Sequence, residues 1–277
     1  MVQLNVIGAG LVLGQLSLIG SVYIISQVVQ RFRRFGTIPI SLKFPMYIAF
    51  TDIGIYISVM YNQLAVVFTG RVFQGLQCQI QGFLFSIVSG TNILLVSIFA
   101  LITFLSSKYN YHVNFGRYDY QLWIGIILSS IAGGSIMFPS FSADKYWCYF
   151  SPNRDGITIS IVTTLFTFGN FFLTIIFFSL TLYQIKNLRT LHRHNIQSNL
   201  VMNAIELKIT KKMLFYIFNF LIQWGLALPY LCIPFTGIVE EWMYLLCNVG
   251  MCSGGILNLI GYLYNEGFYT RNSSETK

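Results

Sequence analysis

Apolar residues in this chain come in long unbroken runs, separated by short polar segments. Seven such runs, each roughly 20–28 residues, lie near 6–30, 44–68, 78–105, 120–141, 157–185, 213–235 and 242–264. At 1.5 Å per residue, each reaches across about 30 Å of hydrocarbon. Lipid offers a backbone amide no partner, so a crossing segment is either a helix or a strand of a closed barrel. Runs without period-two alternation predict helices. The expected fold is all-α: a polytopic membrane protein built as a seven-transmembrane helix bundle. Residues 1–265 form one membrane domain and 266–277 a short tail. The first run is too long for a signal peptide and lacks a basic leader, so it is expected to persist as the first transmembrane helix.

Composition agrees with this pattern. Hydrophobic residues make up 55% of the 277, and only 9% are charged, against about 25% in soluble domains. The net charge of +8 lies in short clusters between runs rather than on one face, which argues for topology signals and no nucleic-acid partner. Fourteen of the seventeen Lys and Arg residues fall on one side of the predicted membrane, leaving Arg71, Lys145 and Arg154 on the other. The positive-inside rule then places the N-terminus outside and the C-terminus in the cytosol. The sequon at Asn272 falls in the cytosolic tail and is expected to stay unmodified. The basic segment after the fifth run, with His192 and His194, reads either as a cytosolic docking surface or as topology charge held near anionic lipid. The five cysteines show no zinc or redox spacing.

The second run carries one carboxylate, Asp52, deep among apolar residues. Such an acid costs about 2.5–3.5 kcal/mol to insert and marks a functional site. Counting depth along the runs puts Ser21, Asn258 and, somewhat higher, Asn92 where their side chains can surround it. The functional reading is a buried polar cluster, hydrated or holding a small cation, whose packing differs between two states of the bundle. The alternative for the neutral members is ordinary interhelical hydrogen bonding. Cys78 and Cys148 both fall on the outer side. A bond between them would tie the loop before the fifth run over the bundle mouth, and two free thiols are the alternative. In the sixth run, Phe220 and Trp224 share a face, and Pro229 is expected to kink the helix. Glu240 and Glu241 in the last outer loop read as solvated.

Together these features resemble G-protein-coupled receptors. Asn258-Leu259-Ile260-Gly261-Tyr262 is similar to the NPxxY motif of the rhodopsin-like class, with Leu in place of Pro. Phe220-x-x-x-Trp224 is similar to that class's helix 6 aromatic switch, and Gly20-Ser21-Val22 to its GNxxV pattern. Asn92, fourteen residues after Cys78, stands where the class carries a polar ligand of its sodium-linked cluster around the helix 2 acid. The DRY motif is absent, its place taken by Ile102-Thr103-Phe104. The CWxP spacing is also absent, and the fifth run has no proline. The manner of LKFPMYIAFTD and LNLIGYLYNEG looks like the cyclic-AMP-receptor-like and fungal nutrient-sensing branch.

That resemblance implies a plasma-membrane receptor that passes an extracellular small-molecule signal to a heterotrimeric G protein by helix rearrangement, without a cofactor. Phe220, Trp224, Pro229, Asn258 and Tyr262 would carry the switch, and Asp52 and Asn92, with Ser21 and Asn258, the sodium-type cluster. Depth alone nominates Gln81, Phe85, Trp224 and Tyr230 as pocket residues, with Tyr146 and Trp147 above them. A small transporter of three-plus-one-plus-three helices shares the topology, but no second half repeats Asp52. A retinal protein would need a lysine in the last run, and none lies between Lys212 and Lys277. An enzyme is not expected: no hydrolytic, phosphate-binding or paired-acid motif occurs.

Overall fold

The computed structural model describes the backbone of residues 2–36, 38, 40–109, 115, 119–150, 157–194 and 200–266. Arg117, Arg154 and the tail with Arg271, Asn272 and Lys277 lie outside the described residues, as do the side chains of 187–208 with His192 and His194.

The apolar runs form α1 (Val2–Phe35), α2 (Ile40–Thr69), α3 (Gly75–Tyr109), α4 (Tyr120–Met137) and α5 (Ile157–His194). The chain continues through α6 (Leu200–Gly225), the short α7 (Leu228–Leu231) and α8 (Ile233–Thr236), and α9 (Glu241–Glu266). Among the described residues, six helices are long and apolar enough to cross a membrane: α1 to α5 and α9. The chain is thus a multi-pass membrane protein with an all-α bundle.

The apolar run 213–235 is divided among α6, α7 and α8. Pro229 has no N–H to give the carbonyl of Gly225, four residues back, and its ring crowds that position. The end of α6 tightens accordingly, with the Ala227 N–H donating to the Trp224 carbonyl at 3.0 Å. The bend expected at Pro229 is a break one turn earlier. The fourth run also ends early. After Met137 come a single 3-10 turn, Phe138–Ser140, and a hairpin of β1 (Phe141–Ala143) and β2 (Cys148–Phe150). The strands pair antiparallel, with Phe141 opposite Phe150 and Ala143 opposite Cys148.

Two packing features position the interior. First, α1 lies closely along α9. A Cβ added at Gly255 would fall 2.2 Å from the Ser17 carbonyl oxygen, so the two backbones meet only because glycine stands there. Second, α3 is central and packs against α2, α4, α5 and α6, whereas the backbones of α4 and α5 stay apart. Phe44 stacks on Phe99, with centroids 4.2 Å apart, and meets Tyr216 edge-on, which joins α2, α3 and α6 in one core.

Candidate functional site

A polar seam runs through the bundle at mid-height. Asp52 on α2 is 4% exposed, and its Oδ2 accepts a hydrogen bond from Asn258 Nδ2 on α9 at 2.7 Å. Its Oδ1 accepts a longer bond from Asn92 Nδ2 on α3 at 3.4 Å. The same Asn92 nitrogen donates to Thr51 Oγ1 at 2.8 Å, and Asn92 Oδ1 accepts from Trp224 Nε1 on α6 at 3.1 Å. Four helices therefore converge on one carboxylate through side chains that have exchanged water for each other, as buried polar groups must.

Gln223, next to Trp224, brings its amide to the same carboxylate over Gly254, with Nε2 buried and without a hydrogen-bond partner. A Cβ at Gly254 would lie 2.7 Å from Asp52 Oδ1 and 2.6 Å from Gln223 Nε2, so any larger residue would wedge the pair apart. Asn258 Oδ1 and Ser21 Oγ are buried without a hydrogen-bond partner. Ser21 makes no bond to Asp52; its hydroxyl points at Gly255, whose added Cβ would lie 2.5 Å away. The carboxylate and these two free oxygens are the donor type that a small hard cation takes. Among the described residues no group of three His, Cys, Asp or Glu side chains gathers around a metal position.

Directly beyond Trp224, toward the hairpin, lies a cavity of about 560 Å³, within the usual range for small-molecule sites. Phe85, Trp147, Trp224 and Tyr230 line it. Gln81 does not; its amide donates to the Ser58 carbonyl at 2.7 Å and links α3 to α2. Tyr146 also lies off the cavity, buried, with its hydroxyl on Glu241.

The hairpin roofs this space. Cys78 and Cys148 form a disulfide that fixes β2 to the start of α3, so the two-thiol alternative falls away. The Cys148 N–H donates to Asn62 Oδ1 on α2 at 3.3 Å. Asp144, in the hairpin turn, accepts from Tyr230 at 3.0 Å and from Tyr244 on α9 at 3.1 Å, and Trp147 Nε1 donates to the Tyr230 hydroxyl at 3.0 Å. Burial raises the Asp144 carboxyl above the ordinary carboxylate range, against the lowering pull of the Lys145 N–H and the two tyrosine hydroxyls. Glu241 is not simply solvated: Lys145 and Tyr146 of the hairpin both bond to it.

No family model matches this chain, and no curated protein matches it either.

At the opposite end of the bundle, Glu266 at the end of α9 accepts from Arg31 of α1 at 2.7 Å and from Lys212 of α6. Arg31 also lies 5.9 Å above the ring of Tyr262, which is 1% exposed and packs edge-on against Tyr23. Nearby, Asp119 accepts from Lys43 at 2.7 Å and from Tyr47 at 2.6 Å, holding the start of α4 to α2. Depth counting found Asp52, Asn92 and Asn258 but missed Thr51, Gln223, Asp119, Asp144 and Glu266. Gln223 had a usable signal, since it neighbours the Trp224 already singled out. The three acids flank apolar runs, where an acid ordinarily reads as solvated.

Proposed function

We propose that this protein is a seven-transmembrane G-protein-coupled receptor of the plasma membrane, with its N-terminus outside and its C-terminus in the cytosol. The broken segment α6–α8 would serve as the remaining crossing. The observation that carries the proposal is the continuous path from cavity to seam. Trp224 lines the cavity with its ring and donates through its indole N–H to Asn92, which bonds Asp52, which holds Asn258. A ligand that prefers one rotamer of Trp224 thereby prefers one arrangement of α2, α3, α6 and α9, and binding can bias a bundle only through such a preference.

The break after Gly225 gives α6 a place to swing. Glu266, bonded to Arg31 and Lys212, holds the resting inner face closed in the absence of a DRY motif. Phe220, with its ring 6.2 Å from that of Trp224, and Tyr262, beside Arg31, transmit the motion toward the G protein. A sodium ion, if bound, would take the Asp52 carboxylate and the free Asn258 Oδ1 as ligands, with Ser21 turned away toward Gly255, and would add charge that steadies the resting arrangement. The chain's own contribution is to orient the carboxylate and to exclude water from it.

The test is nucleotide exchange on a panel of purified heterotrimeric G proteins, with wild type and Asp52→Asn in lipid nanodiscs. Exchange above the receptor-free rate, altered by Asp52→Asn at equal folded amount, is the expected result. Absence of exchange with every G protein would refute the reading.

A further inference from the structure

The walls of the cavity restrict what it can hold. No carboxylate, ammonium, guanidinium or imidazole lines it among the described residues. Most of its polar lining atoms are already taken. Asn62 Oδ1 accepts the Cys148 N–H, Asn248 bonds both the Val6 carbonyl and Gln63, and Ser130 accepts from Thr91. Ser89 is bonded to the Ser86 carbonyl, and Tyr230 to Asp144 and Trp147. An ammonium, a carboxylate, a phosphate or a ring of hydroxyls would lose water here and find little in return.

The route inward is restricted in the same way. The hairpin closes the end of the bundle with a disulfide and hydrogen bonds to α2, α7 and α9. The side between α4 and α5 is the loosely packed one: the two backbones stay apart, and the Thr163 hydroxyl, donating to the Met137 sulfur at 2.9 Å, is a side-chain contact across the gap. Cavity-lining Ile136, Val162 and Phe166 are also 72%, 61% and 51% exposed. These residues thus line both the cavity and the hydrocarbon surface. Gly133 adds to the gap, since a Cβ there would meet only Met137, at 3.6 Å.

We infer that the ligand of this cavity is a neutral, mainly apolar molecule of lipid type, which enters from the bilayer between α4 and α5. The inference rests on the cavity being the ligand site of the receptor proposed above, and names the class of that ligand.

The experiment uses the full chain in phosphatidylcholine nanodiscs and a diazirine-bearing dodecanol as photolabel, with labelled residues read by mass spectrometry. Saturable labelling of Phe85, Met137 and Phe166 is expected, competed by dodecanol. Val162→Trp and Gly133→Trp should each reduce that labelling about fivefold or more. Labelling of Val12 and Ile19, on the exposed face of α1, should persist as the control for label dose, and an unfolding midpoint equal to that of wild type shows that the variants are folded. Val162 is 61% exposed, so at least that variant has room for the larger ring at the mouth of the cavity. Non-saturable labelling, indifference to both substitutions, or equal competition by laurate, glucose, glycine or cyclic AMP would overturn the inference.

The two readings fail separately. A labelled cavity without nucleotide exchange on any G protein removes the receptor and leaves the binding site. Exchange driven by a polar compound, with the cavity unlabelled, removes the lipid-type ligand and leaves the receptor.

Discussion

The bond between Asp52 and Asn258 can be measured against its neighbour, because one carboxylate receives two amides at different distances. Asn258 donates at 2.7 Å with a nitrogen that serves this oxygen alone among the described residues; Asn92 donates at 3.4 Å with a nitrogen that also serves Thr51 at 2.8 Å. A hydrogen bond to a charged group is worth about 1.5–3 kcal/mol in a soluble protein. In membrane helices the average is roughly 0.6 kcal/mol, with a ceiling of about 1.7, because the separated helices find other partners. The short bond is therefore expected near the ceiling and the long one below the average. The assay is a pair of double-mutant cycles, Asp52→Ala with Asn258→Ala and Asp52→Ala with Asn92→Ala, each read by reversible unfolding in nanodiscs. The first cycle should give a coupling of about 1.5 kcal/mol and the second about 0.5 or less. Equal couplings, or a first coupling under about 0.3 kcal/mol, would refute the view that Asn258 is the principal partner and with it the tie between α2 and α9.

Glu266→Gln removes the charge that Arg31 and Lys212 share and should raise agonist-independent nucleotide exchange about tenfold, a coupling of about 1.4 kcal/mol; an unchanged basal rate would leave Glu266 a packing residue. Gly255→Ala puts a Cβ 2.2 Å from the Ser17 carbonyl, so α1 and α9 must part by about 1 Å to restore ordinary contact. That costs about 1–3 kcal/mol, seen as a lower Tm with the cavity's photolabelling kept. Asp144 supplies a pH test. Its native carboxyl lies above the ordinary value of 3.8, so the folded state binds the proton more readily than the unfolded chain. Stability should then rise as pH falls from neutral through the native value, and level off below 3.8. Asp144→Asn should flatten that slope, and an identical slope in the variant would assign the dependence elsewhere.

The helical architecture was legible because each apolar run is long and unbroken. The mid-membrane cluster was legible because depth in a straight helix is only residue count times rise. That arithmetic placed Asn92 and Asn258 beside Asp52, yet it fixes height and not azimuth. Ser21 reached the right height but turned toward Gly255, a matter decided by how closely two glycine-bearing faces can approach. The break at Gly225 follows from Pro229 and its missing amide, so the sequence held the cause while the location needed the carbonyl four residues back. Asp144 stayed hidden for another reason. Its turn reads as a solvated loop, and only Tyr230 and Tyr244, brought from 86 and 100 residues away, bury it. Glu241, by contrast, stays partly exposed as its place in the loop suggests, and gains Lys145 and Tyr146 of the hairpin as partners.

The loosely packed seam between α4 and α5, as the proposed entry, has a consequence for how potency would be read. A site filled from the hydrocarbon responds to the ligand's concentration in lipid, and water only supplies that reservoir. Each added methylene strengthens partition into the bilayer by about 0.8 kcal/mol, roughly fourfold. Along a homologous series of alcohols, half-maximal doses expressed per volume of water should fall by about that factor per carbon, while the same doses expressed per mole of lipid stay nearly level. Doubling the lipid at fixed total ligand should weaken the response even though the protein is unchanged. Apparent selectivity for longer chains would then belong to the membrane rather than to Phe85 or Trp224.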